Sequence, residues 1–442
     1  MNRSALPRLH GAAFSESPED AYASLRAAGP VAWAEIAPGV RALVVTDHAA
    51  ARELLTGADF ARSPEHWTPL PDVVATTHLA LLRPGGLQHV DGPEHERLRG
   101  VLDDCLAGVD LHAVRRGVQR HGRALVGGFA PRGHADLMAE YADQVAGHAV
   151  ADVLGCPDDH DRIRAYARSV VDAGPDSVEA AGKLMRRLRE IVREKQGSPG
   201  ADLTSRLLAH PARLGPGEVE LLLSSMVLLG IAPTAAWIGT ALHALLTEPA
   251  YAGEFVGGAV TIRGAMDAAL AARCPVANAS VHYARRPAIL HGVVVAPGVP
   301  VLVGHAAVGT DPARPGRGRP RDRSHLAWSA GPHHCPAQAL AATVAEAAIE
   351  TVVDALWDLS TPTRVITGRP GPFQQCPVHL GVVFAPDRRD GVTGADGGGA
   401  DGVVDTSAVT HATGANAGSA YAGGADTRTD EKGVTTGHAV SA

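Results

Sequence analysis

The chain has 442 residues, of which 45 % are hydrophobic and 20 % are charged, so it is long enough for a large core or two domains and too long for a peptide-like module. Its formal net charge is −7, from 40 Lys and Arg residues against 47 Asp and Glu residues. This balance leaves no basic surplus to meet phosphates, and it argues against a general nucleic-acid-binding protein.

Two β-hairpins are predicted, and they lie far apart in the chain. Over residues 31–46, two apolar strands flank the turn pair Pro38-Gly39. The same pattern returns later, with one strand predicted over residues 288–295 and its partner over residues 300–303, on either side of a second Pro-Gly pair. The β structure is therefore expected to be small.

The segments between the hairpins show helical periodicity. Long helices are predicted over residues 94–106, 111–129, 136–154, 179–195 and 218–247. Residues 221–246 are apolar enough to resemble a membrane span, but they contain Pro233 and His243 and have no Lys or Arg flank, so we interpret them as a buried helix. The predicted fold class is mostly α with small β-sheets, in a single large domain.

The composition of the C-terminal segment predicts where the folded domain ends. Residues 391–442 contain no Leu, Ile, Met or Phe, so we expect a disordered tail rich in Gly, Ala and Thr, with the folded domain over residues 14–386.

The five cysteines form no C-x-x-C pair, and the N-terminus lacks the apolar run of a signal peptide or anchor. A reducing cytoplasm is the expected compartment.

A first candidate site lies in the helix predicted over residues 94–106. His95 and Arg99 are four residues apart, on a different face from the apolar stripe, so both side chains can reach one anionic group. The alternative is a solvated charged face shared with Glu94 and Glu96. The pattern alone favours that alternative.

A second candidate site surrounds Cys335, just ahead of an apolar helix that Pro336 is placed to begin. At a helix N-terminus the dipole and the free N–H groups favour a thiolate, which is a metal ligand or a nucleophile. One alternative is a buried, inert cysteine. Another is a zinc site of His333, His334 and Cys335, which is disfavoured because adjacent ligands seldom point at one metal.

Together, the two segments resemble the cytochrome P-450 family of heme-thiolate monooxygenases. The family's heme loop, Phe-x-x-Gly-x-His/Arg-x-Cys-x-Gly/Ala, is matched by Trp328, Gly331, His333, Cys335 and Ala337, with Trp in place of Phe. Its helix signature, Pro-Glu-His-x-x-x-Arg, is matched by Pro93, Glu94, His95 and Arg99. The likeness to the bacterial class extends along residues 18–386.

This resemblance implies a heme b cofactor whose iron has Cys335 as its axial ligand. It further implies that His95, Arg99 and His333 hold the heme propionates. An Arg of the family that also touches a propionate aligns with His282, which can donate a hydrogen bond but is not permanently charged.

The resemblance also implies a substrate, an electron donor and a pocket. We expect a small apolar organic substrate and a ferredoxin-type donor, with no nucleic-acid partner and no membrane. The implied pocket lining comes from residues 68–88, 228–234 and 276–280, with Phe373 or Gln374.

The chain departs from the family at the helix that should carry Glu-x-x-Arg. Ala268 and Ala271 occupy the two sites of this ion pair, and no shift of register restores it. Losing both members of a buried pair is less harmful than losing one, because no uncompensated charge remains. The fold is therefore expected to survive. In the family a third Arg completes this ion pair, and Arg321 is a weak candidate for it. The missing pair resembles a divergent actinobacterial branch.

A second departure affects the proton relay in the long helix. Where the family has an acid followed by an alcohol, this chain has Ala232 and Pro233, and only the adjacent Thr234 remains as a candidate catalytic hydroxyl. Proton delivery in oxygen activation needs a hydroxyl and ordered water within hydrogen-bond reach. The relay is therefore expected to be damaged.

Two hypotheses about function follow. The first is a heme-thiolate oxidoreductase that inserts oxygen into its substrate, with oxygen activation impaired. The second is a catalytically degenerate P-450-like protein that regulates or recruits a protein partner. The intact Cys335 loop favours the first hypothesis, whereas Ala232 and Pro233 favour the second.

Overall fold

The fold is described from a computed structural model of the chain. The structure describes residues 6–67, 86–172, 174–248, 262–317, 323–369 and 371–386. The tail predicted over residues 391–442 lies outside the described residues, as do most of residues 68–88, which were expected to line the pocket.

The main sheet is built from strands that are distant in sequence. Its spatial order is β1-β2-β8-β5-β3, and its strands are β1 (Val31–Ala37), β2 (Val40–Val45), β3 (Phe60–Ala61), β5 (Ala279–Ala284) and β8 (Pro300–Val303). β1 and β2 pair antiparallel, as the first predicted hairpin requires. β8 then pairs parallel with β2 and antiparallel with β5.

The second predicted hairpin is placed differently by the structure. Its first strand is not continuous: β6 (Ala288–Leu290) and β7 (Val293–Val295) form their own antiparallel hairpin. The turn between them is His291-Gly292, where both residues have positive φ. A Pro-Gly pair does follow, but it leads into β8, whose partners are β2 and β5. The prediction that residues 288–295 pair with residues 300–303 was therefore wrong.

Thirteen α-helices lie within the described residues, and they form most of the fold. They are α1 (Ala12–Glu16), α2 (Pro18–Ala28), α3 (His48–Thr56), α4 (Gly92–Ala107), α5 (Leu111–Phe129), α6 (Asp143–Leu154), α7 (His160–Asp172), α8 (Ser177–Gly197), α9 (Leu203–Ala209), α10 (Pro216–Thr247), α11 (Ile262–Ala272), α12 (His305–Gly309) and α13 (Gln338–Ala355). A π-helical turn, Met138–Ala142, precedes α6, and β4 (His134–Asp136) pairs with β9 (Gly381–Val383). The predicted mostly α class is confirmed.

Helix α10 runs through the centre of the helical part. It is long and apolar enough to cross a membrane by length and composition alone, but half of its most apolar stretch is buried in the protein. It packs against α6, α7, α8, α11 and α13, and side chains such as Leu223, Trp237 and Leu242 belong to the largest hydrophobic cluster. The sequence-based interpretation as a core helix agrees with this packing.

Candidate functional site

The segment before α13 forms a tight loop around Cys335. Gly331–His333 is a single 3-10 turn, and the Cys335 amide donates to the Trp328 carbonyl at 2.9 Å. Helix α13 begins at Gln338, so the predicted start at Pro336 is two residues early. Cys335 therefore lies three residues ahead of the helix, in a loop that backbone hydrogen bonds hold in place.

The pKa of the Cys335 thiol is higher than that of an ordinary cysteine. Burial raises its pKa, while the Ala337 backbone amide and the charge of Arg99 act in the opposite direction. Burial therefore outweighs the helix-end effect that favours a thiolate. A metal cation reverses this balance, because a coordinating thiol is deprotonated outright.

Gly331 allows the loop to approach the rest of the protein closely. Its φ is +66°, and a Cβ at this position would lie 2.6 Å from the Leu55 carbonyl oxygen. A residue with a side chain is strained in this backbone region and here also clashes with main chain. The glycine of the loop motif is therefore required by the structure.

Replacing Gly331 with alanine is expected to destabilise the protein by about 1–3 kcal/mol and to lower its melting temperature by a few degrees. Thermal unfolding measures this, with Gly100→Ala as the control. Gly100 lies inside α4, and an added Cβ there would have no neighbouring atom within 4 Å, so alanine should leave the melting temperature unchanged or raise it. Equal melting temperatures for Gly331→Ala and the wild type would contradict the strain argument.

Arg99 connects α4 to the Cys335 loop. Its Nη1 donates to the carbonyls of Pro332 at 3.0 Å and His334 at 2.6 Å, and its Nε donates to Asp103 at 2.8 Å. These bonds hold the loop on either side of His333. The structure thus places Arg99 where it orients the loop that carries Cys335.

His95 and His333 come together from the two motifs. Their ring centroids are 4.1 Å apart, and His95 is only 4 % exposed, so the solvated-face alternative does not apply to it. Nε2 of His95 is buried without a hydrogen-bond partner in the described residues. Burial lowers the pKa of both rings, that of His333 to about 4. His333 Nε2 lies 3.8 Å from a carboxylate oxygen of Asp91.

His282 lies on β5, close to this pair, and is neutral. It is buried, and its Nδ1–H donates to the Ser280 carbonyl at 2.6 Å. Burial, followed by the charge of Arg62, lowers its pKa well below the usual range. The sequence analysis did not single out Arg62, because only the pairing of β3 with β5 brings it here.

One of the proton-relay positions, Ala232, lies beside a small cavity of about 30 Å³. Its lining residues include Met138, Asp143, Asp172, Ile231, Ala232, Arg369 and Gln374. Thr234 is buried but is not among the described lining residues. Ala232 and Gln374 thus line this cavity, whereas Thr234 is not among its described lining residues.

The structure also shows what stands near the missing Glu-x-x-Arg pair. Asp267, next to Ala268 on α11, is buried and accepts a hydrogen bond from Nε of Arg323 at 2.8 Å. Arg321 lies outside the described residues. The Arg323 side chain is 66 % exposed, so solvent screens this ion pair. It therefore cannot replace the buried Glu-x-x-Arg ion pair of the family.

The donor set fits a heme better than a bare metal ion. Within the described residues, no group of three or more His, Cys, Asp and Glu side chains could hold a metal, which removes the support for a zinc site. One thiol in a rigid loop suits a metal whose remaining ligands belong to a macrocycle. Buried donors without partners, Nε2 of His95 and Nε of Arg62, suit its carboxylates.

Comparisons with known proteins agree with this assignment. No family model matches the chain. The vitamin D(3) 25-hydroxylase of Pseudonocardia autotrophica is 29 % identical, covering 69 % of this chain and 76 % of that protein. The mycinamicin IV hydroxylase/epoxidase of Micromonospora griseorubida is 27 % identical, covering 82 % and 94 %.

Solved structures extend the likeness to three dimensions. CYP154A1 from Streptomyces coelicolor A3(2) superposes with a TM-score of 0.77 and 26 % identity, over 86 % of this chain and all of that one. CYP154C4 from a Streptomyces species gives the same TM-score at 24 % identity. The Cys335 loop, the fold and these relatives agree: the chain is similar to the bacterial cytochromes P450, a family whose cofactor is heme b.

Proposed function

We propose that the protein is a heme-thiolate monooxygenase of the bacterial cytoplasm, which takes electrons from a ferredoxin-type donor and oxygenates a small apolar organic molecule. The observation that carries the proposal is the Cys335 loop, held by backbone bonds and by Arg99. When bound, the heme supplies reductive activation of dioxygen. The relatives, being hydroxylases and epoxidases by name, support this class of reaction.

The proposed roles of the cofactor-binding side chains follow from their positions. Cys335 presents one sulfur ligand, and Arg99 fixes the carbonyls on both sides of His333. The rings of His95 and His333 lie against each other at a tilt and are neutral, so they hold heme carboxylates as hydrogen-bond donors rather than as cations. His282 has its Nδ1–H committed to Ser280, which leaves Nε2 as its remaining polar atom.

The charges that line the small cavity beside Ala232 are paired with one another. Arg164 Nη1 donates to Asp143 at 2.6 Å, and Arg369 Nε donates to Asp172 at 2.7 Å. Gln374 also donates to Asp172, at 3.2 Å. At about 30 Å³, this cavity has room for water and not for an organic substrate.

Turnover with a surrogate donor tests the proposal. We expect heme-loaded protein, supplied with a ferredoxin, its reductase and NAD(P)H, to consume NAD(P)H slowly and to release peroxide, because the relay positions hold Ala232 and Pro233. Heme-free protein is the control. If loading with heme adds nothing to the NAD(P)H consumption of the ferredoxin and reductase alone, the enzyme proposal fails. The regulatory alternative is then favoured.

A further inference from the structure

A buried arginine that belongs to neither family motif lies beside the candidate heme-carboxylate site. Arg62 follows β3 and is only 7 % exposed. Its Nε has no hydrogen-bond partner, and its guanidinium forms no ion pair within 4 Å of any carboxylate in the described part of the chain. A buried guanidinium without a partner is costly, so this arrangement suggests a missing anion.

The strand register places Arg62 opposite His282. β3 pairs antiparallel with β5, with Phe60 opposite Ala284 and Ala61 opposite Tyr283. Continuing this register by one residue sets Arg62 across from His282, and opposite residues of an antiparallel pair lie on the same face. Arg62 therefore lies on the face where the family carries its propionate-binding arginine.

Arg62 also supplies the positive charge that the surrounding histidines lack. Its charge lowers the pKa of His95 and of His282, whose rings are neutral in the folded protein. Asp91 is the one carboxylate that acts on Arg62, but its Oδ2 already accepts from the backbone amides of Arg62 and Ser63, at 2.8 and 3.1 Å. The side chain of Arg62 is left for another anion.

We propose that Arg62 binds a heme propionate and replaces, from the neighbouring strand, the cation that this chain lost at His282. A guanidinium presents a planar fork of donors that matches a carboxylate. The unpaired Nε2 of His95 completes the donor set. This inference rests on heme binding by the chain, which the heme content of the wild type checks separately.

Heme transfer to excess apomyoglobin, followed by the Soret absorbance, measures the effect. We expect Arg62→Met to lose heme about 10- to 100-fold faster than the wild type, the loss typical of one charge-assisted hydrogen bond. Arg62→Lys should lie between the two. Removing a positive charge near the heme should also lower its reduction potential.

The charge exchange has its own test, in the double variant Arg62→Met with His282→Arg. It should recover most of the lost heme retention, because it returns the cation to the opposite strand. The matched control is Arg285→Met, which removes a half-exposed arginine 3.8 Å from the same Asp91 carboxylate and should change heme loss less than twofold. The thermal unfolding of heme-free Arg62→Met should be unchanged or shifted upward, since an unpaired buried cation is removed.

Each contrary result has a distinct meaning. Heme loss from Arg62→Met within twofold of the wild type overturns the inference. A double variant that loses heme as fast as Arg62→Met overturns the exchange across the strands. A heme-free Arg62→Met protein that unfolds at a clearly lower temperature assigns Arg62 to the fold instead. A wild type that retains no heme overturns the heme assignment itself, and this inference with it.

Discussion

Replacing Cys335 with alanine should abolish the thiolate Soret band that carbon monoxide produces with the reduced, heme-loaded protein. The expected loss is complete, because within the described residues no other cysteine belongs to the loop between Trp328 and α13. The other cysteines are buried, and burial raises the pKa of Cys156 and of Cys376 to about 12, which keeps them as thiols. The measurement is the difference spectrum of the reduced protein with and without carbon monoxide.

Cys156→Ala is the matched control for this spectrum. It removes a buried thiol outside the loop, so it should keep the band although it bears the cost of losing a core sulfur. Far-UV circular dichroism of the heme-free Cys335→Ala protein should match that of the wild type. A wild type that shows no Soret absorbance when supplied with heme contradicts the assignment of Cys335. So does a Cys335→Ala protein that keeps the thiolate band.

The loop and helix motifs could be predicted from the sequence because their function depends on local spacing. Gly331 and Cys335 lie within one turn-sized segment, and His95 and Arg99 share a helix face, so the chain positions alone constrain them. The helices around them follow from apolar periodicity. The burial of His95 could not be predicted in this way, because it depends on contact with His333, which is more than 200 residues away.

The features that the sequence analysis missed depend on pairing between distant segments. The strand over residues 288–295 was predicted as continuous because most of its residues are apolar and several are β-branched, yet the positive φ of His291 and Gly292 turns the chain back. Arg62 becomes part of the site only through the register of β3 against β5. The sequence pattern of one strand does not tell which other strand it pairs with. The pairing, in turn, determines which side chains meet at the site.

The pKa of Cys335 shows the same limit for electrostatics. The sequence places the cysteine near a helix start, which favours the thiolate. The structure adds burial, which disfavours any charge, and burial is the larger effect here. Sequence position reveals the helix, but the depth of burial is set by Arg99, α4 and the packing of the loop.

The double substitution Ala232→Glu with Pro233→Thr should raise the coupling of NAD(P)H consumption to product formation. Ala232 lines the small cavity, so a carboxylate at this position reaches a space that has room for water. Thr234 lies on another side of the helix, because successive helical residues are rotated by about 100°, which turns it about 200° from Ala232. Groups that transfer protons contribute about 10²- to 10⁴-fold to rate, so the gain should be large.

The control for this gain is Ala232→Gln with Pro233→Thr. It restores the alcohol and the volume of the acid, but its amide cannot exchange a proton as a carboxylate does. Arg164 and Arg369 line the same cavity and can form an ion pair with the introduced Glu. The Gln variant forms no such ion pair, so the comparison also tests for this effect. We expect the Glu variant to couple better than the Gln variant, and both to unfold at similar temperatures. Efficient coupled turnover by the wild type would refute the damaged relay. An inert Glu variant that still binds heme would favour the regulatory role, because an otherwise competent site should turn over once its proton relay is restored.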